Sequence, residues 1–406
     1  MDAREKLVKY HQEQLLKYFD ELSEGEKQEL LKQIEALDFD VLAAFSKKHS
    51  GEETRGKITP LSALELPAIQ ARRDEYKRAG LDALKEGKVG AILLAGGMGT
   101  RLGSNAPKGV YNIGITRELY IFECIINNIL DVVKESGTYI HLFVMTSELN
   151  DEDTKRFFKE KDYFNYPEEY VTFFKQEMAP CCDSAGKVLL EHKGKVATSP
   201  NGNGGWFLSL IKSGVIDKVK ANGIEWLNVF AVDNVLQRIC DPAFVGATIV
   251  EGKEVGAKVV RKNTPDERVG VMCLEDGHPS IVEYYELTDA MRDEKDEKGE
   301  RVYNFGVILN YLFKVSSVEK IVNEKLPYHV VKKKIPYLDD KGNFVEPEEP
   351  NGYKFEQLVL DMIHLSENCL PFEVVREREF APIKNKTGVD SVESARELLK
   401  KNGVEL

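Results

Sequence analysis

The chain has 406 residues, more than one hydrophobic core ordinarily serves, so two or three domains are expected. Hydrophobic residues make up 42% and charged residues 31%, an ordinary water-soluble balance, and no apolar run approaches the ~20 residues of a membrane span. The net charge of −12 argues against a broad nucleic-acid surface, which needs a basic excess on one face.

The first residues, MDAREKLVKYHQEQLLKYF, are charged and amphipathic and hold no signal-peptide apolar centre. A cytoplasmic location follows as the expectation. Residues 3–48 read as wholly helical. Leu7, Tyr10, Leu15, Phe19 and Leu22 form one stripe, and Ser23 with Glu26 makes a capping box for a second helix through Leu30, Ile34 and Leu37. The pair is expected to form a helical hairpin, followed by an irregular stretch at 49–67. This gives an N-terminal segment 1–67 packed on the main domain, a catalytic domain over 68–387, and a short terminal helix over 388–406.

From Val89 onward, apolar runs alternate with helical patterns, which predicts an α/β fold around a mixed, mostly parallel sheet. The runs are Ala91 to Ala95, Ile140 to Met145, Val171 to Lys175, Leu227 to Val232 and Ala257 to Arg261. Helices are expected over Ile121 to Glu135, Glu152 to Phe158, Trp206 to Ser213 and Ile216 to Asn222. After the first run comes AGGMGTRLGSNAPKG. Gly96, Gly97 and Gly99 carry no Cβ and tolerate positive φ, so backbone amides can converge on one anion. Arg101 adds a bidentate fork and Lys108 a mobile point charge. Neither the P-loop ending in Gly-Lys-Ser/Thr nor the GxGxxG dinucleotide spacing is present. The pattern points to a nucleoside triphosphate.

Asp233 follows LNVFAV and so lies at the carboxyl end of a strand, where open α/β sheets bind ligands. A carboxylate there beside phosphates suits magnesium, which takes one or two carboxylates with phosphate oxygens and waters. Residues 268–287 read as a hairpin turning at Asp276-Gly277. Residues 289–301 read as a solvated charge run and Lys332 to Lys334 as exposed. Of the six cysteines (Cys124, Cys181, Cys182, Cys240, Cys273, Cys369) only the adjacent pair is close in sequence, and no metal spacing appears. Reduced, buried thiols are expected, with Cys181 and Cys182 as the redox candidates.

The run Leu93 to Lys108 resembles the signature of the eukaryotic-type UDP-sugar pyrophosphorylases, most closely the UDP-N-acetylglucosamine branch. The resemblance spans nearly the whole chain, although the eukaryotic members carry a further C-terminal domain that this chain is expected to lack. It implies a Rossmann-like nucleotidyltransferase fold that joins UTP and a sugar-1-phosphate into a UDP-sugar and pyrophosphate. The sugar phosphate attacks the α-phosphorus in line, with no protein nucleophile. Magnesium, or manganese in its place, is the implied cofactor, and Asp233 its ligand. Arg101, Lys108 and Lys384 are the implied catalytic cations. Leu94, Ala95, Gly96, Gly97, Gly99 and Thr100 would hold the nucleotide, and Gln176 would read uracil. The PNGNG run, Pro200, Asn201, Gly202, Asn203 and Gly204, would contact uridine and sugar; Asp233, near the phosphates, and Asn234 are further implied substrate-binding residues. Gly270, Glu283 and Asn304 would shape the sugar pocket.

One departure bears on the sugar. The N-acetylglucosamine enzymes commonly read Phe-Asn-x-Gly-Asn where this chain has Tyr303-Asn304-Phe305-Gly306-Val307. A glucose, galactose or broad-specificity enzyme is therefore the rival within the class, and a non-catalytic nucleotide-sugar binder the rival outside it. No membrane or nucleic-acid partner is expected, and the oligomeric expectation is a monomer or weak homo-oligomer.

Overall fold

The computed structural model describes residues 2–50, 55–323 and 326–406. It divides into two compact units, each assembled from separate stretches of chain. The smaller comprises 1–55, 177–205 and 326–361, and the larger 56–176, 206–325 and 362–406. These units cut across the linear segmentation expected at 67 and 387.

The larger unit is built on a ten-stranded mixed sheet. Its strands are β1 (Ile58–Pro60), β2 (Val89–Leu94), β3 (Leu142–Thr146), β4 (Val171–Lys175), β5 (Trp226–Ala231), β6 (Val255–Arg261), β7 (Val271–Glu275), β8 (His278–Val282), β9 (Phe305–Lys314) and β10 (Cys369–Glu373). β4, β3, β2 and β5 lie side by side and parallel. They are apolar because helices cover both faces, as a buried parallel sheet requires. β9 runs antiparallel between β5 and β6, and β10 closes parallel to β6. The register decides where chemistry can sit. Leu94 pairs with Met145 and Ala231, and Thr146 with Lys175, so the four parallel strands end together.

Helix Ile121–Ser136 buries Ile121, Cys124, Ile125, Ile129 and Val132 in the main core. Each such aliphatic burial contributes ~1.5–3 kcal/mol. Helices Arg73–Lys85 and Pro242–Val250 meet backbone to backbone. A Cβ at Gly246 would lie 1.7 Å from the Tyr76 carbonyl oxygen, so only glycine fits. β7 and β8 form the expected hairpin, with Asp276 at φ 50° and Gly277 at φ 87°, as a two-residue type I′ turn demands.

The stretch 49–67 is not wholly irregular, because β1 pairs with β7; residues 51–54 of it lie outside the described residues. The charge run 289–301 is largely exposed, as are Lys332 to Lys334. Among the described residues, no helix is long and apolar enough to cross a membrane.

In the smaller unit the helical expectation is only partly met. Helix Ala3–Tyr10 stops where His11 turns left-handed at φ 56°, and short 3₁₀ turns lead to helix Glu24–Ala36. The Ser23–Glu26 capping box is present. Leu7, Leu30 and Ile34 pack with Val188, Leu190 and Val196. Gln12 sews the two stretches together, donating to the Gly186 carbonyl at 3.1 Å and accepting from the Val188 amide at 2.8 Å.

Candidate active site

The glycine segment leaves β2 where Ala95 donates its amide to the Met145 carbonyl at 2.8 Å. Asn150 then clamps the turn. Its Nδ2 donates to the carbonyls of Ala95 (2.9 Å) and Gly97 (3.3 Å), and its Oδ1 accepts the Ser147 amide at 2.8 Å. Further along, Lys108 donates its amide to Gly97 and Gly99 donates to Ala106, at 3.1 and 2.9 Å, so residues 97–108 form a closed loop. Among the described residues none supplies an acceptor to the Gly96 or Gly97 amide, and the space beside Gly97 is open.

This sorts the loop residues. Leu94 and Ala95 are buried, and their peptide groups are spent in the sheet: the Leu94 carbonyl accepts from Val232. Gly99 commits its amide to closing the loop. The Ala95 and Gly99 amides therefore shape the turn, and of the three glycines expected to aim amides at an anion Gly99 does not. Gly96 and Gly97 remain available, and Thr100 and Arg101 are exposed.

Gln176 follows β4, and its amide bonds the Thr146 carbonyl at 2.8 Å. A Cβ on Gly96 would stand 3.0 Å from Gln176 Oε1, so this buried carboxamide lies directly over the glycine turn.

Asp233 follows β5. Gln237 holds the turn around it by donating Nε2 to the carbonyls of Ala231 (2.7 Å) and Asn234 (2.9 Å). Asn310 of β9 donates to Gln237 Oε1 at 3.2 Å. Asn234 is 2% exposed and its carboxamide is committed, accepting from the Ala381 amide and donating to the Glu379 carbonyl. The structure thus gives the Asn234 side chain a supporting place in the turn that carries Asp233. The Ile383 amide bonds the Asp233 carbonyl at 2.8 Å, which brings Lys384 beside the same strand end.

Lys108 Nζ lies 3.7 Å from Asp233 Oδ2. Burial holds the Lys108 ammonium below its ordinary value; Asp233 opposes this, while the positive charges of Lys384 and Arg101 add to it. Arg101, Asp233 and Lys384 therefore each act on Lys108 at the ends of β2 and β5. Such a group is a cation-rich receptor for a polyanion with one carboxylate among the cations.

Beside β9, Gly270 sits with the carboxylate oxygens of Glu283 3.6 Å from where its Cβ would be. The Val307 amide bonds the Gly270 carbonyl at 2.9 Å. Asn304, 4% exposed, has a buried Oδ1 with no hydrogen-bond partner among the described residues, an acceptor lacking its donor.

The PNGNG run belongs to the smaller unit, where Pro200 pairs with Met178. Its glycines have a packing cause. Cβ atoms at Gly202 and Gly204 would fall 2.2 and 2.5 Å from the backbone of Gln357 and Leu358. Asn203 Oδ1 accepts the Val359 amide, and the buried Asn201 accepts the Gln357 amide at its carbonyl. The run's backbone is thus docked on 357–359 rather than freely exposed.

Asn150 and Gln237 escape a reading by motif. Each is a lone amide whose importance lies in the carbonyls it meets, although Ser147-x-x-Asn150 before an acidic helix start is a faint cue.

Comparison with known proteins agrees with this geometry. The family model described as UTP–glucose-1-phosphate uridylyltransferase matches residues 42–404. The UDP-N-acetylhexosamine pyrophosphorylase-like protein 1 of Mus musculus is 35% identical, with 96% of this chain and 81% of the relative covered. The UDP-N-acetylglucosamine pyrophosphorylase of Saccharomyces cerevisiae is 33% identical, with 95% and 86% covered. Among solved structures, the uridine diphosphate N-acetylglucosamine pyrophosphorylase of Trypanosoma brucei, in complex with an inhibitor, superposes with a TM-score of 0.83. It is 26% identical, with 98% of this chain and 84% of that one covered. A Leishmania major UDP-glucose pyrophosphorylase, 18% identical with a TM-score of 0.65 and 89% and 77% covered, shares the fold.

Proposed function

The chain belongs to the UTP–glucose-1-phosphate uridylyltransferase family, and from that premise we propose how its residues divide the work and which sugar it takes. It is a uridylyltransferase that makes a UDP-sugar and pyrophosphate from UTP and a sugar-1-phosphate. An oxygen of the sugar phosphate attacks the α-phosphorus, one P–O bond forms, and the bond to the β-phosphate bridging oxygen breaks. No proton transfer or protein nucleophile is needed, so catalysis is alignment and charge neutralisation.

In our reading the Gly96 and Gly97 amides and Arg101 meet the departing phosphates. Lys108 and Lys384 steady the α-phosphate and the incoming sugar phosphate. Gln176, lying over Gly96, reads uracil, since a primary amide offers the donor and acceptor that the uracil edge requires. The observation that carries the proposal is the gathering of Arg101, Lys384 and Asp233 around Lys108.

Magnesium fits Asp233 in one mode. Among the described residues no three acidic, histidine or cysteine side chains gather to hold a metal unaided. One carboxylate suits a magnesium ion that substrate phosphates and water complete, and manganese could take that place. When bound, the ion would neutralise charge on the phosphate oxygens.

For the sugar we favour N-acetylglucosamine-1-phosphate. The mouse and yeast relatives are named for that sugar or its class, and among the described residues Asn304 Oδ1 lacks a donor that an amide N–H or a hydroxyl supplies. Val307 is the observation favouring a glucose or galactose enzyme. A cytoplasmic setting accords with six free, buried cysteines.

The test is pyrophosphate release from UTP and magnesium across a panel of sugar-1-phosphates. N-acetylglucosamine-1-phosphate should give the highest kcat/KM. Faster release with glucose- or galactose-1-phosphate would reassign the sugar, and no release with any would leave a binding protein.

A further inference from the structure

Lys384 is the cation that arrives from farthest along the chain, and one residue fixes where it stands. The segment after it folds back, so that the Lys384 and Asn385 amides both donate to the Asp390 carbonyl, at 2.7 and 3.0 Å. The Lys384 ammonium then meets Asp390 Oδ2 at 3.0 Å. Asp390 itself is left-handed, at φ 51°, a conformation that costs a non-glycine residue energy and that aspartate bears better than most. Gly388, at φ 84°, and a Ser391 hydroxyl bond to the Gly388 carbonyl close the loop.

Stability alone gives little reason for this arrangement. The two side chains are 42% and 29% exposed, and ion pairs in such positions contribute little to folding. Electrostatics gives a better one. Lys384 and Arg101 both act unfavourably on the charge of Lys108, and Asp233 is the carboxylate that opposes them there. Until phosphate arrives, the cations repel one another. A carboxylate held against Lys384 keeps that ammonium in place and offsets the repulsion.

We propose that Asp390 is the positioning residue of Lys384, holding its ammonium through the carboxylate and its backbone through the carbonyl, ready for the substrate phosphates. The proposal rests on the reading of Lys384 as a phosphate-binding cation. Asp390 touches no substrate in it.

Asp390→Asn tests it, because asparagine keeps the size and tolerates the left-handed backbone while removing the charge. Turnover should fall ~10- to 10²-fold, the scale of a misplaced contact at a reacting centre, with KM for UTP little changed. In a Lys384→Ala background the same change should cost nothing further. An equal loss in both backgrounds, which general misfolding would also give, overturns the role of Asp390 and leaves that of Lys384 standing. Wild-type turnover in Lys384→Ala overturns both.

Discussion

Lys108 Nζ and Asp233 Oδ2 stand 3.7 Å apart, although the two residues leave the sheet from different strands. They meet because β2 and β5 are parallel neighbours in register, Leu94 beside Ala231, so that the loops after both emerge at one edge. The pairing follows from topology.

Metal dependence should reveal Asp233. In Asp233→Asn the magnesium concentration for half-maximal turnover should rise by ~10- to 100-fold or more, the loss that removing even an outer partner of a metal causes. A magnesium titration of initial rates measures this. A midpoint identical to wild type would remove Asp233 from the metal.

Lys108 should set the alkaline limb. It is charged below its folded pKa and neutral above it, and burial places that pKa below the ordinary 10.5. The kcat/KM profile should therefore fall with a midpoint under 10.5, while that of kcat lies higher because bound triphosphate favours the ammonium. Lys108→Arg should abolish this limb, since guanidinium stays charged. Superimposable profiles for the two proteins would contradict the assignment.

Base selection should depend on Gly96 as well as Gln176. In Gly96→Ala the new methyl would lie 3.0 Å from Gln176 Oε1, and the carboxamide must yield. The ratio of kcat/KM for UTP over CTP should drop, as it should in Gln176→Ala, and the double variant should be no worse than the latter. An unchanged ratio in both single variants would move base reading elsewhere.

The thiols should be silent. All six are buried, and burial raises Cys124 and Cys182 to about 12. An aromatic disulfide reagent should label few in the native protein and all six after denaturation. Rapid native labelling of Cys181 or Cys182 would restore a redox role for that pair.

What could be read in advance divides along physical lines. Local patterns transmit well. β4 spans Val171 to Lys175 as its apolar run indicates, and Asp276-Gly277 makes the turn its residue types require. Asp233 was placeable because a strand end is visible in sequence. Relations between distant segments were not. Nothing near His11 announces a left-handed residue inside a helical stripe. The glycines at 202 and 204 look like a ligand loop, yet their close neighbour is backbone more than a hundred residues away, at Gln357 and Leu358. The amide clamps of Asn150 and Gln237 depend on carbonyls that only the folded sheet brings within reach.

Uridylyl transfer through this cation group is tested most directly by isotope exchange. Labelled pyrophosphate, unlabelled UDP-N-acetylglucosamine and magnesium are incubated with the enzyme, and label entering UTP is counted. The wild type should exchange, and Lys108→Ala should do so ~10²–10³-fold more slowly, the usual loss on removing one charge-stabilising donor. Exchange by Lys108→Ala at the wild-type rate, or none by the wild type with any UDP-sugar, would contradict the account.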